Sequence, residues 1–200
     1  MSKLTVGVLA LQGAVREHIY MIERCGARGL AIKKPHELLQ LDSLIIPGGE
    51  STTIGKLMVK YDFIDIIKEL YEKGLPIYGT CAGLILLAKR ITEGTQPLLG
   101  LMNIEAKRNA FGRQRESFEA NLDIRELGEP PFKGVFIRAP QIESVWGDVK
   151  VIAVLQGKVV MAREGRLLAT AFHPELTDDI RIHRYFIEEM KRAVKSQPLR

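Results

Sequence analysis

The sequence predicts an α/β fold built on a single open, mostly parallel sheet that is flanked by helices and extended by antiparallel strands. In the first half, short apolar runs alternate with segments whose apolar residues recur at helical spacing. This order is typical of parallel strands joined by right-handed crossovers. From residue 98 to residue 172, β-like runs follow one another across turn-rich segments, which indicates antiparallel pairing. A length of 200 residues suits one well-buried core, so we expect residues 1–200 to form a single domain.

The first half begins with a near-continuous apolar run at residues 4–11, the pattern of a strand covered on both faces. The next segment places Val15, Ile19 and Ile22 on one helical face, and Gly26 ends that helix. The same reasoning predicts strands at 4–11, 27–33, 43–46 and 76–80, and helices at 14–25, 52–61, 63–73 and 82–90.

The second half is predicted to contain strands at 135–138, 149–155, 159–163 and 167–172. Two connections between them have the composition of hairpin turns, namely Gln156-Gly157-Lys158 and Glu164-Gly165-Arg166. A closing helix over residues 179–195 carries an apolar face made of Ile180, His183, Phe186, Ile187 and Met190.

Composition excludes several classes of protein. Hydrophobic residues make up 46% of the chain, and no apolar run approaches the ~18–20 residues that a membrane-spanning helix needs. The net charge is +5, but 29 Lys and Arg residues are interleaved with 24 Asp and Glu residues, so we expect no binding to nucleic acid. The two cysteines have neither the number nor the spacing of a disulfide framework or a metal site. We therefore expect a soluble, cytoplasmic protein that binds no metal and no membrane.

The most informative stretch surrounds Cys81. A strand is predicted to end there and a helix to begin at once, with Gly79 and Gly83 two residues to either side. This is the pattern of a nucleophile elbow with cysteine in place of serine, in which glycines permit a tight turn that lifts the nucleophile to the sheet edge. The alternative is an inert buried cysteine, and the paired glycines favour the nucleophile. Cys25 has no such surroundings and is interpreted as a core or surface residue.

A thiol at a helix N-terminus is only partly activated by the helix dipole, so the elbow needs a base. His173 follows the predicted strand 167–172 and begins the sequence His173-Pro174-Glu175. Residues i and i+2 of an extended segment point the same way. Glu175 can therefore lie beside the imidazole and fix its tautomer, which is the third role in a catalytic triad. The other histidines are interpreted as structural or exposed: His18, His36 and His183.

A second glycine-rich loop, at residues 47–51, joins the third predicted strand to a helix. Its glycines allow backbone N–H groups to approach a ligand closely, and we expect the oxyanion donors to be the N–H groups of Gly49 and Ala82. Glu50 and Ser51 are also suited to cap the following helix. The loop does not match a phosphate-binding loop, because Glu50 stands where that pattern requires glycine and Leu57 where it requires Ser or Thr.

The elbow cysteine, the Pro-Gly-Gly loop and the late His-Pro-Glu sequence together resemble the class I glutamine amidotransferase family. More narrowly, six segments are similar to the glutaminase subunits of pyridoxal 5'-phosphate synthases: LALQGAVREH (9–18), PGGESTTI (47–54), GTCAGLILLAK (79–89), RNAFGRQRESFEA (108–120), GVFIRAP (134–140) and FHPELTDD (172–179). Many class I glutaminases carry glutamine two residues after the second elbow glycine, whereas this chain has Ile85 there, as the pyridoxal branch does. This difference argues against the branches that serve histidine, tryptophan, purine or pyrimidine synthesis.

The resemblance implies a flavodoxin-like, three-layer fold and hydrolysis of L-glutamine to L-glutamate and ammonia through a cysteine thioester. It implies Cys81, His173 and Glu175 as the triad, and a glutamine pocket formed by Gly49, Glu50, Ser51, Arg108, Ile137 and Arg138. It also implies a (β/α)8-barrel synthase subunit as partner in a large hetero-oligomer, which combines the ammonia with ribose 5-phosphate and glyceraldehyde 3-phosphate. No metal or bound organic cofactor is expected in this subunit. Two alternatives stay open: a glutaminase that serves another synthase or a cysteine hydrolase of the same fold, and a non-catalytic binding module or inactive scaffold of this fold.

Overall fold

The computed structural model describes residues 3–111 and 117–196, with side chains described as far as residue 189. Positions 112–116 of the 108–120 segment and the side chain of Met190 lie outside the described residues. The helices are α1 (Val15–Arg24), α2 (Ser51–Lys60), α3 (Phe63–Glu72), α4 (Ala82–Leu87) and α5 (Arg181–Ser196). The strands are β1 (Thr5–Leu9), β2 (Arg28–Ile32), β3 (Ser43–Ile46), β4 (Ile77–Thr80), β5 (Ala88–Ile91), β6 (Met102–Lys107), β7 (Ser117–Leu122), β8 (Phe132–Ile137), β9 (Gln141–Val145), β10 (Lys150–Leu155), β11 (Lys158–Glu164) and β12 (Leu167–Thr170).

The main sheet follows the strand order β2-β1-β3-β4-β12-β11-β9-β6-β5, and β10 pairs with β11. Strands β2, β1, β3, β4 and β12 are parallel to one another, whereas β12, β11, β9 and β6 pair antiparallel. Strands β7 and β8 form a separate antiparallel pair. The predicted fold class, a mostly parallel sheet with flanking helices and antiparallel additions, is therefore confirmed.

Most elements predicted in the first half are confirmed to within two residues at each end. The exception is the helix predicted at 82–90, which is wrong in its last turn. Helix α4 ends at Leu87, and the backbone becomes extended at Ala88, with φ −61° and ψ 143°. Ala88 then pairs with Met102 of β6. A partner strand distant in sequence decides this boundary, so the local apolar pattern could not reveal it.

Besides β5, which begins inside the predicted helix, three further strands have no counterpart among the sequence-based predictions: β6, β7 and β9. In β6, buried positions alternate with half-buried Asn103, Glu105 and Lys107, so the strand lacks a continuous apolar run. Strand β9 is mostly exposed after its first two residues. Pairing with neighbours, rather than intrinsic strand preference, makes these segments strands. The closing helix is confirmed as α5.

One continuous cluster of buried apolar side chains joins the sheet to its covering helices. Strands β3, β4 and β12 are buried along their whole length, as expected for strands covered on both faces. In the part of the chain that the structure describes, no helix combines the length and apolarity that crossing a membrane requires.

The strand order determines where the predicted site lies. Strands β3, β4 and β12 are parallel neighbours, so their carboxyl ends meet at one edge of the sheet. Strand β3 leads into the loop at residues 47–50, β4 leads into Cys81, and β12 leads towards His173. Open α/β sheets bind their ligands at this edge.

Candidate active site

Cys81 lies in the turn between β4 and α4, in a backbone conformation that residues other than glycine rarely adopt. Its φ is 49° and its ψ is −100°, and such a conformation costs on the order of 1–3 kcal/mol. The backbone N–H of Cys81 donates to the carbonyl oxygen of Thr170 on β12 at 2.8 Å, which ties the turn to the neighbouring strand. The residue is buried, with 8% of its surface exposed. The turn thus has the geometry of a nucleophile elbow.

The glycines on either side of Cys81 are required by close contacts between backbone segments. A Cβ on Gly79 would overlap the backbone of Gly83, and a Cβ on Gly83 would overlap the carbonyl oxygen of Ile46 on β3. Backbone atoms inside a close-packed sheet cannot move aside as the end of a flexible side chain can. The glycine pattern that predicted the elbow therefore has a steric cause.

His173 lies just beyond β12 and is bonded to Glu175. Its Nδ1–H donates to Oε1 of Glu175 at 2.7 Å, and its backbone N–H donates to the carbonyl oxygen of Val135 on β8 at 2.7 Å. Both side chains are almost fully buried. The structure therefore brings Cys81, His173 and Glu175 together in the order thiol, imidazole, carboxylate.

The side chains around His173 and Glu175 shift the pKa of each residue towards its charged form. Burial alone would lower the pKa of His173, but its hydrogen bonds and electrostatic interactions with Cys81 and Glu175 raise that pKa to about 10. Burial would raise the pKa of Glu175, but the imidazoles of His18 and His173 outweigh it and lower that pKa. At neutral pH the pair is an imidazolium beside a carboxylate. An imidazolium next to a thiol is the arrangement that stabilises thiolates in cysteine-dependent enzymes.

The loop at residues 47–50 packs directly on this group. A Cβ on Gly48 would overlap the imidazole ring of His173, so only glycine allows this approach. The carbonyl oxygen of Gly48 accepts from the backbone N–H of Ala14 at 3.2 Å. The backbone N–H of Glu50 donates to Oε1 of Gln12 at 2.8 Å. These two contacts connect the loop to the segment between β1 and α1.

Glu50 caps the N-terminus of α2, as the sequence allowed. Its carboxylate accepts from the backbone N–H groups of Thr52 at 3.1 Å and Thr53 at 2.7 Å. The hydroxyl of Thr53 also donates to it, and this bond is the main cause that lowers the pKa of Glu50. Half of the side chain remains exposed, so the anionic carboxylate can also face a ligand.

A cavity of about 320 Å³ opens beside Cys81. Every predicted site residue except Glu175 lines it, and Glu175 lies behind His173. Gln12, Ile85 and Asn109 complete the lining. A larger cavity of about 500 Å³ lies elsewhere, and its lining is mainly charged, without a cysteine or histidine among its described residues.

Two arginines supply positive charge to the cavity at Cys81. The guanidinium of Arg108 lies 3.5 Å from Oε1 of Glu50 and 3.5 Å from Oγ1 of Thr52. Arg138 follows β8 with a positive φ of 41°. The carbonyl oxygen of Ile137, at the end of β8, lies 4.0 Å from the sulfur of Cys81. Cationic and anionic groups thus line one cavity, as binding of a zwitterion requires.

Sequence reasoning missed Gln12 and did not connect two of the histidines with the site. His18 and His183 are fully buried, and Nε2 of His18 lies 3.5 Å from Oε2 of Glu175. A signal was present, because His18 lies on the apolar face of α1 and His183 on that of α5. His36, by contrast, is exposed.

Neither cysteine forms a disulfide. Cys25 is half-buried, and burial raises the pKa of its thiol, which makes it less reactive than an exposed thiol. Across residues 3–111 and 117–196, no group of three or more His, Cys, Asp and Glu side chains is arranged to hold a metal ion.

The fold and the site together define a class, an α/β protein with a cysteine elbow that faces a histidine–glutamate pair at the carboxyl edge of a parallel sheet. Comparison with known proteins narrows this class. The chain belongs to the SNO glutamine amidotransferase family, whose sequence model matches residues 8–192.

Individual relatives agree with this assignment. A protein of Pelotomaculum thermopropionicum named "Pyridoxal 5'-phosphate synthase subunit PdxT" is 57% identical over 190 residues, which are 95% of this chain and 97% of that protein. A protein of the same name from Herpetosiphon aurantiacus is 57% identical over 188 residues, 92% of this chain and 99% of its own. A solved structure titled "Crystal structure of glutamine amidotransferase" superposes with a TM-score of 0.89 at 49% identity, covering 93% of this chain and 98% of that one.

Proposed function

We propose that this chain is a glutaminase that delivers ammonia to a synthase subunit making pyridoxal 5'-phosphate. The observation that carries the reaction is the contact of Cys81, His173 and Glu175 beside a cavity lined by both signs of charge. The names of relatives 57% identical over nearly the whole chain support the pathway.

The first half of the reaction forms a thioester. The thiolate of Cys81 attacks the side-chain amide carbon of glutamine, and a C–S bond forms while the amide oxygen takes the electron pair. The backbone N–H groups of Gly49 and Ala82 stabilise this oxyanion, each donor being worth about 2.7–4 kcal/mol in comparable enzymes. The imidazolium of His173 then donates its proton to the amide nitrogen as the C–N bond breaks, and ammonia leaves.

The second half of the reaction releases glutamate. His173, now neutral, takes a proton from a water molecule while that water attacks the thioester carbon. The C–S bond breaks, the thiolate of Cys81 is restored, and His173 returns to the imidazolium form. Glu175 stabilises the positive imidazole in both halves, which agrees with the raised pKa of His173.

Glutamine is held at its other end by charge. The guanidinium groups of Arg108 and Arg138 bind the substrate carboxylate, and the carboxylate of Glu50 binds the ammonium group. Gly49, Ser51 and Ile137 complete the pocket. The ion pair at 3.5 Å between Arg108 and Glu50 lets the two side chains separate slightly around a bound zwitterion.

The partner proposed is a (β/α)8-barrel synthase subunit in a large hetero-oligomer, acting in the cytoplasm on ribose 5-phosphate and glyceraldehyde 3-phosphate. We further propose that the glutaminase is weakly active alone and that docking orders the loop at residues 47–50. This loop depends on two hydrogen bonds to the segment around Gln12. Gln12 and Gly13 are exposed, so a docked subunit can reach the segment that holds the loop.

The experiment measures glutamate release from glutamine by the chain alone and by the chain mixed with a barrel synthase, with Cys81→Ala alongside. We expect release that rises on mixing and disappears in the variant. Full turnover by the free chain would contradict activation by docking but not the glutaminase. No glutamate in either mixture would contradict the proposed function.

A further inference from the structure

A pair of buried histidines lies directly behind the triad and has no part in the mechanism given above. His18 on α1 and His183 on α5 have no exposed surface. Nδ1 of His18 lies 2.9 Å from Nε2 of His183. Nε2 of His18 lies 3.2 Å from Oγ1 of Thr80 and 3.5 Å from Oε2 of Glu175. The pair therefore reaches both the triad carboxylate and the residue that precedes Cys81.

The two carboxylate oxygens of Glu175 have different surroundings. Oε1 accepts the hydrogen bond from His173 at 2.7 Å. Oε2 is buried and has no hydrogen-bond partner. A buried carboxylate oxygen without a donor is unfavourable, because it has lost its hydrogen bonds to water. The imidazole of His18, at 3.5 Å, is within reach to meet that need after a small shift.

Two observations determine the tautomers of the pair. The carboxylate of Glu175 faces His18, and Nδ1 of His183 is buried without a hydrogen-bond partner. If His18 carried its proton on Nδ1, its Nε2 lone pair would face the Glu175 carboxylate, and Nδ1–H of His183 would be a buried donor without an acceptor. With the proton of His18 on Nε2, that N–H points at Glu175 and Thr80, and Nε2–H of His183 donates to Nδ1 of His18. The second arrangement avoids the repulsion and leaves only a lone pair unmatched.

Burial favours the neutral form of both histidines. Burial lowers the pKa of His18, and the opposing charges of Glu175 and Glu17 do not reverse this. Burial and the neighbouring His18 lower the pKa of His183 to about 3. The other titratable groups that face His18 are His173 and the phenol of Tyr78, whose ring lies edge-on at 6.5 Å. In this arrangement the N–H groups point in one direction, from His183 to His18 and from His18 towards Thr80 and Glu175.

We propose that His18, with its tautomer held by His183, is a positioning residue for the triad. Its Nε2–H holds Oε2 of Glu175, so that Oε1 stays directed at His173 and the carboxylate stays ionised. The inference rests on the proposed glutaminase reaction, in which Glu175 keeps His173 oriented towards Cys81. His18 touches neither glutamine nor the sulfur, so it acts only through Glu175.

Two amide substitutions separate the hydrogen bond from the volume of the ring. In His18→Gln, the amide nitrogen reaches about as far as imidazole Nε2 and keeps a donor at Glu175. In His18→Asn, the amide nitrogen reaches only as far as imidazole Nδ1, so this donor is lost. In the complex with the synthase subunit, we expect kcat of His18→Asn to fall between about ten-fold and a hundred-fold, as for misplaced catalytic groups, with KM nearly unchanged. His18→Gln is expected to keep kcat within about three-fold of wild type. This fall is much smaller than the one expected when a catalytic group is misplaced. His36→Asn, at an exposed position, is the matched control.

The pH profile tests the role more directly than the rate. Without the N–H of His18, the buried carboxylate is less stabilised, so the pKa of Glu175 rises. The acid limb of kcat against pH should therefore move to higher pH in His18→Asn and not in His18→Gln. A purely structural defect would lower the amount of active enzyme without moving this limb. Equal losses in the two variants, or an unmoved limb in His18→Asn, would overturn the inference.

A second readout keeps this inference separate from the proposed function. Alkylation of Cys81 by iodoacetamide needs the thiolate but no glutamine. If the wild-type complex released no glutamate, the proposed function would fail, and the pH dependence of alkylation would still compare the two variants. The positioning role predicts that the alkylation rate falls at a higher pH on the acid side in His18→Asn than in His18→Gln. Identical pH dependence in the two variants would refute it.

Discussion

The parallel part of the main sheet and the antiparallel strands contribute to the site in different ways. From the parallel half and β12 come Cys81, His173 and Glu175, which are buried and held by backbone hydrogen bonds and close glycine contacts. From the segments after β6 and β8 come Arg108 and Arg138, which are exposed and reach the cavity from its rim.

The buried and exposed parts of the site correspond to the two proposed tasks, catalysis and substrate binding. The proposed catalytic groups are placed by strand ends that cannot move without disturbing the core, whereas the two arginines proposed to bind the substrate are on exposed connections. Loops on a rigid scaffold commonly carry specificity in this way. Changes in the buried group should therefore act on kcat or on folding, and changes at the rim should act on KM.

The largest effect is expected at the nucleophile. Cys81→Ala should lower glutamate release by at least about a thousand-fold, because the thioester of the proposed reaction forms on the sulfur of Cys81. Release measured in the complex with the synthase subunit checks this. Cys25→Ala is the matched control, since Cys25 is half-buried outside the cavity. Comparable loss in both variants would show that Cys81 is not the nucleophile.

The second prediction compares one glycine from each half. Gly83→Ala should lower the free energy of unfolding by about 2–3 kcal/mol or more, because the new methyl group overlaps the carbonyl oxygen of Ile46. Gly157→Ala, in the β10–β11 turn, has open space around it and should cost only about 1 kcal/mol for its positive φ. Urea unfolding of both variants measures the difference. Equal costs would mean that the elbow is not sterically constrained.

The third prediction concerns the rim. Arg138→Ala should raise KM for glutamine about ten-fold with little change in kcat, because a charge-assisted hydrogen bond of about 1.5 kcal/mol or more is lost from ground state and transition state alike. Steady-state kinetics of the complex checks this. The control is Arg28→Ala, at an exposed position on the sheet's edge strand β2. A drop in kcat at constant KM would place Arg138 in the chemistry instead.

The fourth prediction concerns the stability of the fold in acid, which depends on the two buried histidines. The pKa of His183 is about 3 in the fold, against 6.5 for an ordinary histidine. Its contribution to stability is therefore fully present above pH 6.5 and is lost as the pH falls towards 3. The loss is about 1.4 kcal/mol per pH unit for each histidine kept neutral, and the lowered pKa of His18 adds in the same direction.

Denaturant unfolding at pH 6.5, 5.5 and 5.0 measures this slope. His183→Phe removes one of the two groups, so its unfolding free energy should depend less steeply on pH than that of the wild type. An identical slope in the two proteins would mean that His183 binds its proton equally well in the folded and unfolded states.

The parallel half was predictable because its signals are local. Continuous apolar runs mark strands buried on both faces, and paired glycines mark the elbow at Cys81. Strands β6, β7 and β9 were not predictable, because their polar residues form strands only through pairing with distant neighbours. The helix predicted to reach residue 90 ends at Leu87 for the same reason.

The site divides along the same line. Cys81, His173, Glu175 and the loop at residues 47–50 have their own sequence patterns, which predict chemistry without a structure. His18 and His183 do not, since a histidine on the apolar face of a helix shows burial but not which side chain it meets. Only the strand order, with β12 beside β4, brings Glu175 between His173 and His18.

In the proposed function, ammonia released at Cys81 supplies the nitrogen of pyridoxal 5'-phosphate. In the most direct test, the chain is mixed with a barrel synthase, ribose 5-phosphate and glyceraldehyde 3-phosphate. Glutamine labelled with 15N in its side-chain amide is then added. Mass spectrometry of the product then detects the label. We expect 15N in the ring nitrogen of the pyridoxal 5'-phosphate with wild type and none with Cys81→Ala, which should use only added ammonium. Unlabelled product from the wild-type mixture, or labelled product with Cys81→Ala, would contradict the proposed function.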